Sequence, residues 1–107
     1  MIMKKILTYQ EITEKGFEIT SDANSYFSDE IDSILESGFD KNFPIVVSEN
    51  GEILDGNHRY EAFEYHGRLD ELFFAVCTWE NFVKLPEGGA RINDEDYQIL
   101  LTLCEEF

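Results

Sequence analysis

The chain is poor in positive charge: Lys and Arg number 8 among 107 residues against 23 Asp and Glu, a formal net charge of −15. A field of that sign repels a bare phosphate backbone and draws cationic partners or metal ions, which argues against direct nucleic-acid binding. Long apolar runs are missing too. The longest, Leu72-Phe73-Phe74-Ala75-Val76-Cys77, spans six residues, whereas a bilayer-crossing helix needs about 20, so no membrane span is expected. The opening Met1-Ile2-Met3-Lys4-Lys5-Ile6-Leu7 meets Tyr9, Gln10 and Glu11 before a signal-peptide core can form, and a cytoplasmic location is the expectation. The two cysteines, Cys77 and Cys104, lack the spacing of a zinc or redox motif and are expected to be buried free thiols in a reducing compartment. The two prolines, Pro44 and Pro86, sit at the edges of apparent elements, and no repeat or low-complexity segment divides the chain. Residues 1–107 are therefore read as a single domain.

Apolar side chains are plentiful. Hydrophobic residues make up 43% of the sequence, with nine Phe and five Tyr, which is too apolar for a disordered polyanion. The acids are scattered among these positions, as at Asp29, Glu30, Asp32, Glu49, Glu52, Asp70, Glu71, Asp94, Glu95 and Asp96, and form no tail. Such a pattern reads as a solvated acidic surface, or as a surface that imitates nucleic acid.

Periodicity places the elements. Short strand-like patterns occur at Ile6-Leu7-Thr8-Tyr9 and Gly16-Phe17-Glu18-Ile19-Thr20, although residues 9–15 suit a helical turn equally well. Ser28 is an N-cap candidate for a helix over 29–37, with Asp29 and Glu30 in its first turn and Ile31, Ile34 and Leu35 at helical spacing. Pro44-Ile45-Val46-Val47 reads as a strand, Asn50-Gly51 as a tight turn, and Ile53-Leu54 as the returning arm of a hairpin. A helix over 57–66 follows, with Ala62, Phe63 and His66 on the face of Arg59 and Gly67 as its C-cap. Residues 72–79 predict a buried strand, Trp79 and Phe82 core positions, and Pro86-Glu87-Gly88-Gly89 a mobile loop. Asn93-Asp94-Glu95-Asp96 opens a closing helix bearing Tyr97, Leu100, Leu101 and Cys104. The class is α+β, a small mixed sheet with flanking helices.

Chemistry concentrates where a strand passes into a helix, at Asp55-Gly56-Asn57-His58-Arg59. Glycine lets backbone approach a ligand, and the amides of a first helical turn favour an anion. Arg59 offers a permanently charged fork to phosphate oxygens, and His58 a hydrogen bond or a proton near neutral pH. Against this stand simpler readings, in which Arg59 pairs with Glu52, Glu61 or another acid and His58 faces solvent. Glu61 and Glu64 read as a solvated helix face before they read as help for Mg²⁺, and His66 as a residue suited to the C-terminal helix dipole.

The stretch Asp55-Gly56-Asn57-His58-Arg59-Tyr60-Glu61-Ala62 resembles the Gly-x-x-Arg-x-x-Ala box of the ParB/sulfiredoxin superfamily. Ile31-Asp32-Ser33-Ile34-Leu35-Glu36-Ser37-Gly38, then Pro44-Ile45-Val46-Val47, a hairpin turn and Ile53-Leu54-Asp55-Gly56 resemble that family's helix, strand and hairpin in the same order, so the likeness covers residues 31–79. It implies a ParB/sulfiredoxin-like fold and a nucleotide site, with Gly56, Asn57, His58 and Arg59 on the phosphate and ATP, ADP or CTP with Mg²⁺ as ligand. Asp55 would be metal ligand or base, and Asp55 with His58 the catalytic pair for phosphoryl transfer or nucleotide hydrolysis. The departures matter. Asn57 stands where sulfiredoxins resemble one another in a cysteine nucleophile, which argues against that activity. Partition proteins need a second nucleotide box and a DNA-binding helix-turn-helix, and neither is visible. Free-serine kinases are the most similar at Asp-Gly-x-His-Arg, but are larger. A nuclease site built from one His, one Asp and nearby Glu residues is opposed by the acidic field. Fold alone does not fix function, so a second expectation stands: a non-enzymatic acidic interaction protein, of the phage or mobile-element kind, that binds a cationic nucleic-acid-binding partner as a nucleic-acid mimic.

Overall fold

A computed structural model describes residues 3–21, 29–85 and 92–107. In chain order these form β1 (Leu7–Thr8), α1 (Tyr9–Glu14), α2 (Asp29–Ser37), β2 (Ile45–Val47), β3 (Ile53–Asp55), α3 (Asn57–Tyr65), β4 (Phe73–Val76), α4 (Trp79–Phe82) and α5 (Asp94–Leu103), with a 3-10 turn at Leu69–Glu71. The Ser28 cap and the loop at Pro86-Glu87-Gly88-Gly89 lie outside the described residues.

The strands join as one open sheet in the order β1-β4-β2-β3. β1 runs antiparallel to β4, β4 parallel to β2, and β2 antiparallel to β3. Both central strands are apolar on both faces because both faces are covered. Ile45, Val47, Phe74 and Val76 join Leu7, Ile12, Tyr60, Phe63 and Leu72 on one side. Val46, Ala75 and Cys77 point to the other, against Phe82, Tyr97, Leu100 and Cys104. The period of two along β2 and β4 thus separates two cores, with α1, α2 and α3 over one and α4 and α5 over the other. The class is α+β, with a small mixed sheet between helices.

Local chemistry explains the starts of the helices. Thr8 and Glu11 form a capping box on α1, and Asn93 and Asp96 form another on α5, each satisfying two backbone donors. The N-terminal ambiguity resolves as a helix at α1, while the strand expected at 16–20 is reduced to a single parallel bridge from Thr20 to Glu52. Residues 72–79 also do not run as one strand. Thr78 accepts a hydrogen bond from the Asn81 N–H and turns the chain into α4, which leaves Trp79 exposed instead of in the core. Cys77 and Cys104 are buried free thiols, as expected. Among the described residues no helix is long and apolar enough to cross a membrane.

Candidate functional site

Between Val46 and Val47 the pairing of β2 with β3 slips: Val46 faces Asp55, but Val47 faces Ile53. Leu54 is the extra residue of a β-bulge, and its insertion moves Asp55 to the face it shares with Val46, the side covered by α5. Regular pairing would have set Leu54 opposite Val46 and sent Asp55 to the other face.

Gly56 then makes the turn into α3 with φ 102°. A Cβ there would lie 3.0 Å from Arg59 Nη2 and 3.1 Å from Ile45 Cγ1, so the backbone conformation favours glycine and a larger residue would crowd both side chains. Gly56 is the N-cap of α3 and brings no side-chain cap; the amides of that first turn are the ones a helix leaves unbonded internally. The His58 side chain is exposed. Ser21 Oγ lies 3.2 Å from Asn57 Oδ1 and 2.7 Å from Glu61 Oε2, so Asn57 and Glu61 both belong to a contact with the N-terminal segment.

Arg59 turns inward. Nη1 donates to the Phe43 carbonyl at 2.5 Å, and Nη2 donates to Tyr97 Oη at 3.0 Å and lies 3.5 Å from Asp55 Oδ2. The Tyr97 hydroxyl in turn donates to the same Asp55 oxygen. The Phe39 ring lies 5.3 Å from the guanidinium carbon, and the Arg59 side chain keeps 16% of its exposure against 31% for Asp55. Arg59 springs from the helix layer on one face of the sheet and reaches Tyr97 in the layer on the other, so these contacts clamp the two layers at the sheet's end. Burial pushes the Tyr97 phenol well above its ordinary value, with Asp55 adding to the rise and Arg59 opposing it.

A cavity of about 270 Å³ adjoins the clamp, lined by Asn42, Phe43, Asp94, Tyr97, Gln98 and Leu101. The Phe43 and Tyr97 rings meet edge to face there, their centroids 5.2 Å apart. Among the described residues no group of three or more His, Cys, Asp or Glu side chains gathers to hold a metal ion.

The structure therefore brings Asp55, Gly56, Asn57, His58 and Arg59 together, as their contiguity requires, and of the acids weighed as partners for Arg59 it supplies another than Glu52 or Glu61, namely Asp55. His66 falls outside the apolar face of α3: it is the exposed C-cap, its ring edge-on to Tyr65. Phe43 and Tyr97 are the site residues that sequence reasoning missed. Tyr97 read only as a core position of α5, and a backbone carbonyl such as that of Phe43 leaves no mark in a sequence. Comparison with protein-family models, with curated proteins and with solved structures finds no match to this chain.

Proposed function

We propose that the chain is a nucleotide-binding domain of ParB/sulfiredoxin-like kind, with the phosphate at Gly56, Asn57, His58 and Arg59. The observation that carries this reading is the left-handed turn at Gly56, which opens α3 beside a guanidinium and next to a cavity walled by Phe43 and Tyr97. The amides of a helix's first turn and an arginine fork are what a phosphate group needs. The neighbouring cavity lies just below the roughly 300 Å³ at which small-molecule sites begin, and its aromatic rings suit a nucleobase. Asp55 is the residue that would hold Mg²⁺, together with phosphate oxygens and water, the usual sparse protein contribution to magnesium. Engaging Asp55 in that way would release Arg59 Nη2 toward the phosphate, with exposed His58 placed to carry a proton in phosphoryl transfer or hydrolysis.

Calorimetric titration with ATP, ADP, CTP and GTP, each with Mg²⁺, tests this on the wild type, His58→Ala and Arg59→Lys, with melting curves alongside to exclude unfolding. Saturable binding weakened about tenfold or more by Arg59→Lys, which keeps the charge and loses the fork, is expected. No binding by folded wild type to any of the four would overturn it.

A second reading has its own observation: the described cations are largely engaged within the chain. Lys4 pairs with Glu11, Lys5 Nζ donates to the Leu101 carbonyl at 2.8 Å, and Arg68 holds Glu71 and the Leu35 carbonyl, in addition to the inward-turned Arg59. The acids outnumber these partners, leaving an anionic surface suited to a cationic, nucleic-acid-binding protein. On this reading the chain should displace a DNA duplex from an arginine-rich DNA-binding domain, less effectively as salt rises; failure to displace at low salt removes it.

A further inference from the structure

Because β2 and β4 are parallel, Val47 and Val76 come level at the end of the sheet remote from Arg59. The 48–52 hairpin turn follows the first of them and Thr78-Trp79 follows the second. The two meet where Glu49 Oε2 accepts the Trp79 N–H at 3.3 Å. Buried Phe82 stacks against the Trp79 ring at 6.1 Å and 25°, yet Trp79 remains 56% exposed. Ser48, Glu49, Asn50, Glu52 and Trp79 line a cavity of about 360 Å³. The turn beneath it is held firmly. Gly51 has φ 86° and packs so close to the Glu18 carbonyl that a Cβ would fall 2.2 Å from that oxygen, and the Thr20 N–H donates to the Gly51 carbonyl at 3.0 Å. A second cavity of about 260 Å³, with Phe17 and Glu18 in its wall, continues on the far side of Glu49 and Asn50. Lys15 borders it, with its ammonium held 4.9 Å from the centre of the Phe107 ring.

We infer that the Trp79 cavity docks an arginine side chain from a basic segment of a partner protein. The inference rests on the reading of the chain as a binder of cationic proteins, and it assigns that reading a site. An indole face with carboxylates beside it matches a guanidinium in two ways, since the ring quadrupole attracts the cation and the carboxylates accept its N–H groups. The same surroundings discriminate against other occupants. An apolar side chain would strip water from Glu49 and Glu52 without replacing its hydrogen bonds. A nucleobase stacked on Trp79 would bring its phosphates into a field of −15. Lysine fits less well because its compact, strongly hydrated ammonium does not stack. Exposed tryptophans with a rigid backing are also the residues on which protein interfaces concentrate their binding energy.

Trp79 is the sole tryptophan, so the emission of the full chain reports on this cavity alone. Titration with a dye-labelled nona-arginine peptide, followed by tryptophan emission and by peptide anisotropy, should give one saturable curve by both signals. The double variant Glu49→Gln/Glu52→Gln should weaken it about tenfold, and nona-lysine should bind more weakly than nona-arginine. The charge-matched variant Glu36→Gln/Asp70→Asn, whose exposed acids precede β2 and β4 at the opposite end of the sheet, should change it less than about twofold. Anisotropy that rises while the emission stays unchanged, or equal weakening by the two double variants, overturns the docking site and leaves the cationic-partner reading standing. No binding by either signal removes both.

Discussion

At one end of the sheet, where β2 begins and β3 finishes, Arg59 directs its N–H groups to Phe43, Tyr97 and Asp55 and is largely enclosed. At the other, where β2 and β4 finish, Trp79 stands 56% exposed beside Glu49 and Glu52. The first end carries the residues that a sequence reader would choose as functional, and the fold uses the most distinctive of them to join its layers. The second carries residues that read as core and solvated surface, and the fold leaves them open. A permanently charged residue near a strand-to-helix turn is thus under two demands, cohesion and ligand binding, and the two ends of this molecule divide them differently.

The largest effect that bears on this contrast is expected from Arg59→Ala. It strips the Phe43 carbonyl and the paired Tyr97 and Asp55 of their cation in a part-buried setting, and the unfolding free energy should fall by about 3 kcal/mol. Urea denaturation of the two proteins measures it. A loss below about 1 kcal/mol would mean that the clamp contributes little to cohesion.

An intermediate effect should come from alkali and from Tyr97→Phe. Burial raises the phenols of Tyr97 and Tyr60 and the thiol of Cys77, and pushes Cys104 up to about 12. Each is an acid whose folded-state value is raised, so the unfolded chain loses the proton first. The stability contributed by the protonated form is complete below the unfolded-state values, about 8.5 for a thiol and 10 for a phenol, and drains away as pH climbs above them. Urea midpoints should therefore fall from about pH 9 upward. Tyr97→Phe should cost about 1–2 kcal/mol at neutral pH through the lost hydroxyl bridge and should flatten the decline above about pH 10. An unchanged alkaline limb would show that the hydroxyl is not sealed between Arg59 and Asp55.

What could be read beforehand follows from how local each feature is. Helix α2, the 45–47 and 53–55 hairpin arms and the capped start of α5 rest on neighbours a few positions apart, so periodicity, the Asn50-Gly51 turn and Asn93 announce them. Asp55, Gly56, Asn57, His58 and Arg59 are contiguous, and any fold with a turn there gathers them. The clamp was illegible because Tyr97 lies 38 residues beyond Arg59. The bulge at Leu54, which decides the face Asp55 occupies, is set by pairing with another strand. Trp79 reads as core in the sequence for a smaller reason. Thr78 can continue a strand or cap a helix with equal propriety, and its bond to the Asn81 N–H turns the chain one residue before the tryptophan.

The smallest stability effect is expected at that tryptophan, and it sharpens the contrast most. Trp79 begins α4, but the bonds that start this helix come from backbone N–H groups: Asn81 N–H donates to Thr78 Oγ1, and Trp79 N–H donates to Glu49 Oε2. Replacing the side chain with alanine removes neither, and Phe82 keeps its place among Val46, Ala75 and Leu100 in the core beneath α5. What disappears is one stacked ring contact on an already exposed side chain, so Trp79→Ala should lower the unfolding free energy by about 0.5–1 kcal/mol. The same variant should lose nona-arginine binding by anisotropy. A stability loss above about 2 kcal/mol would instead place the indole among the core residues, and the division between a closed end and an open one would no longer hold.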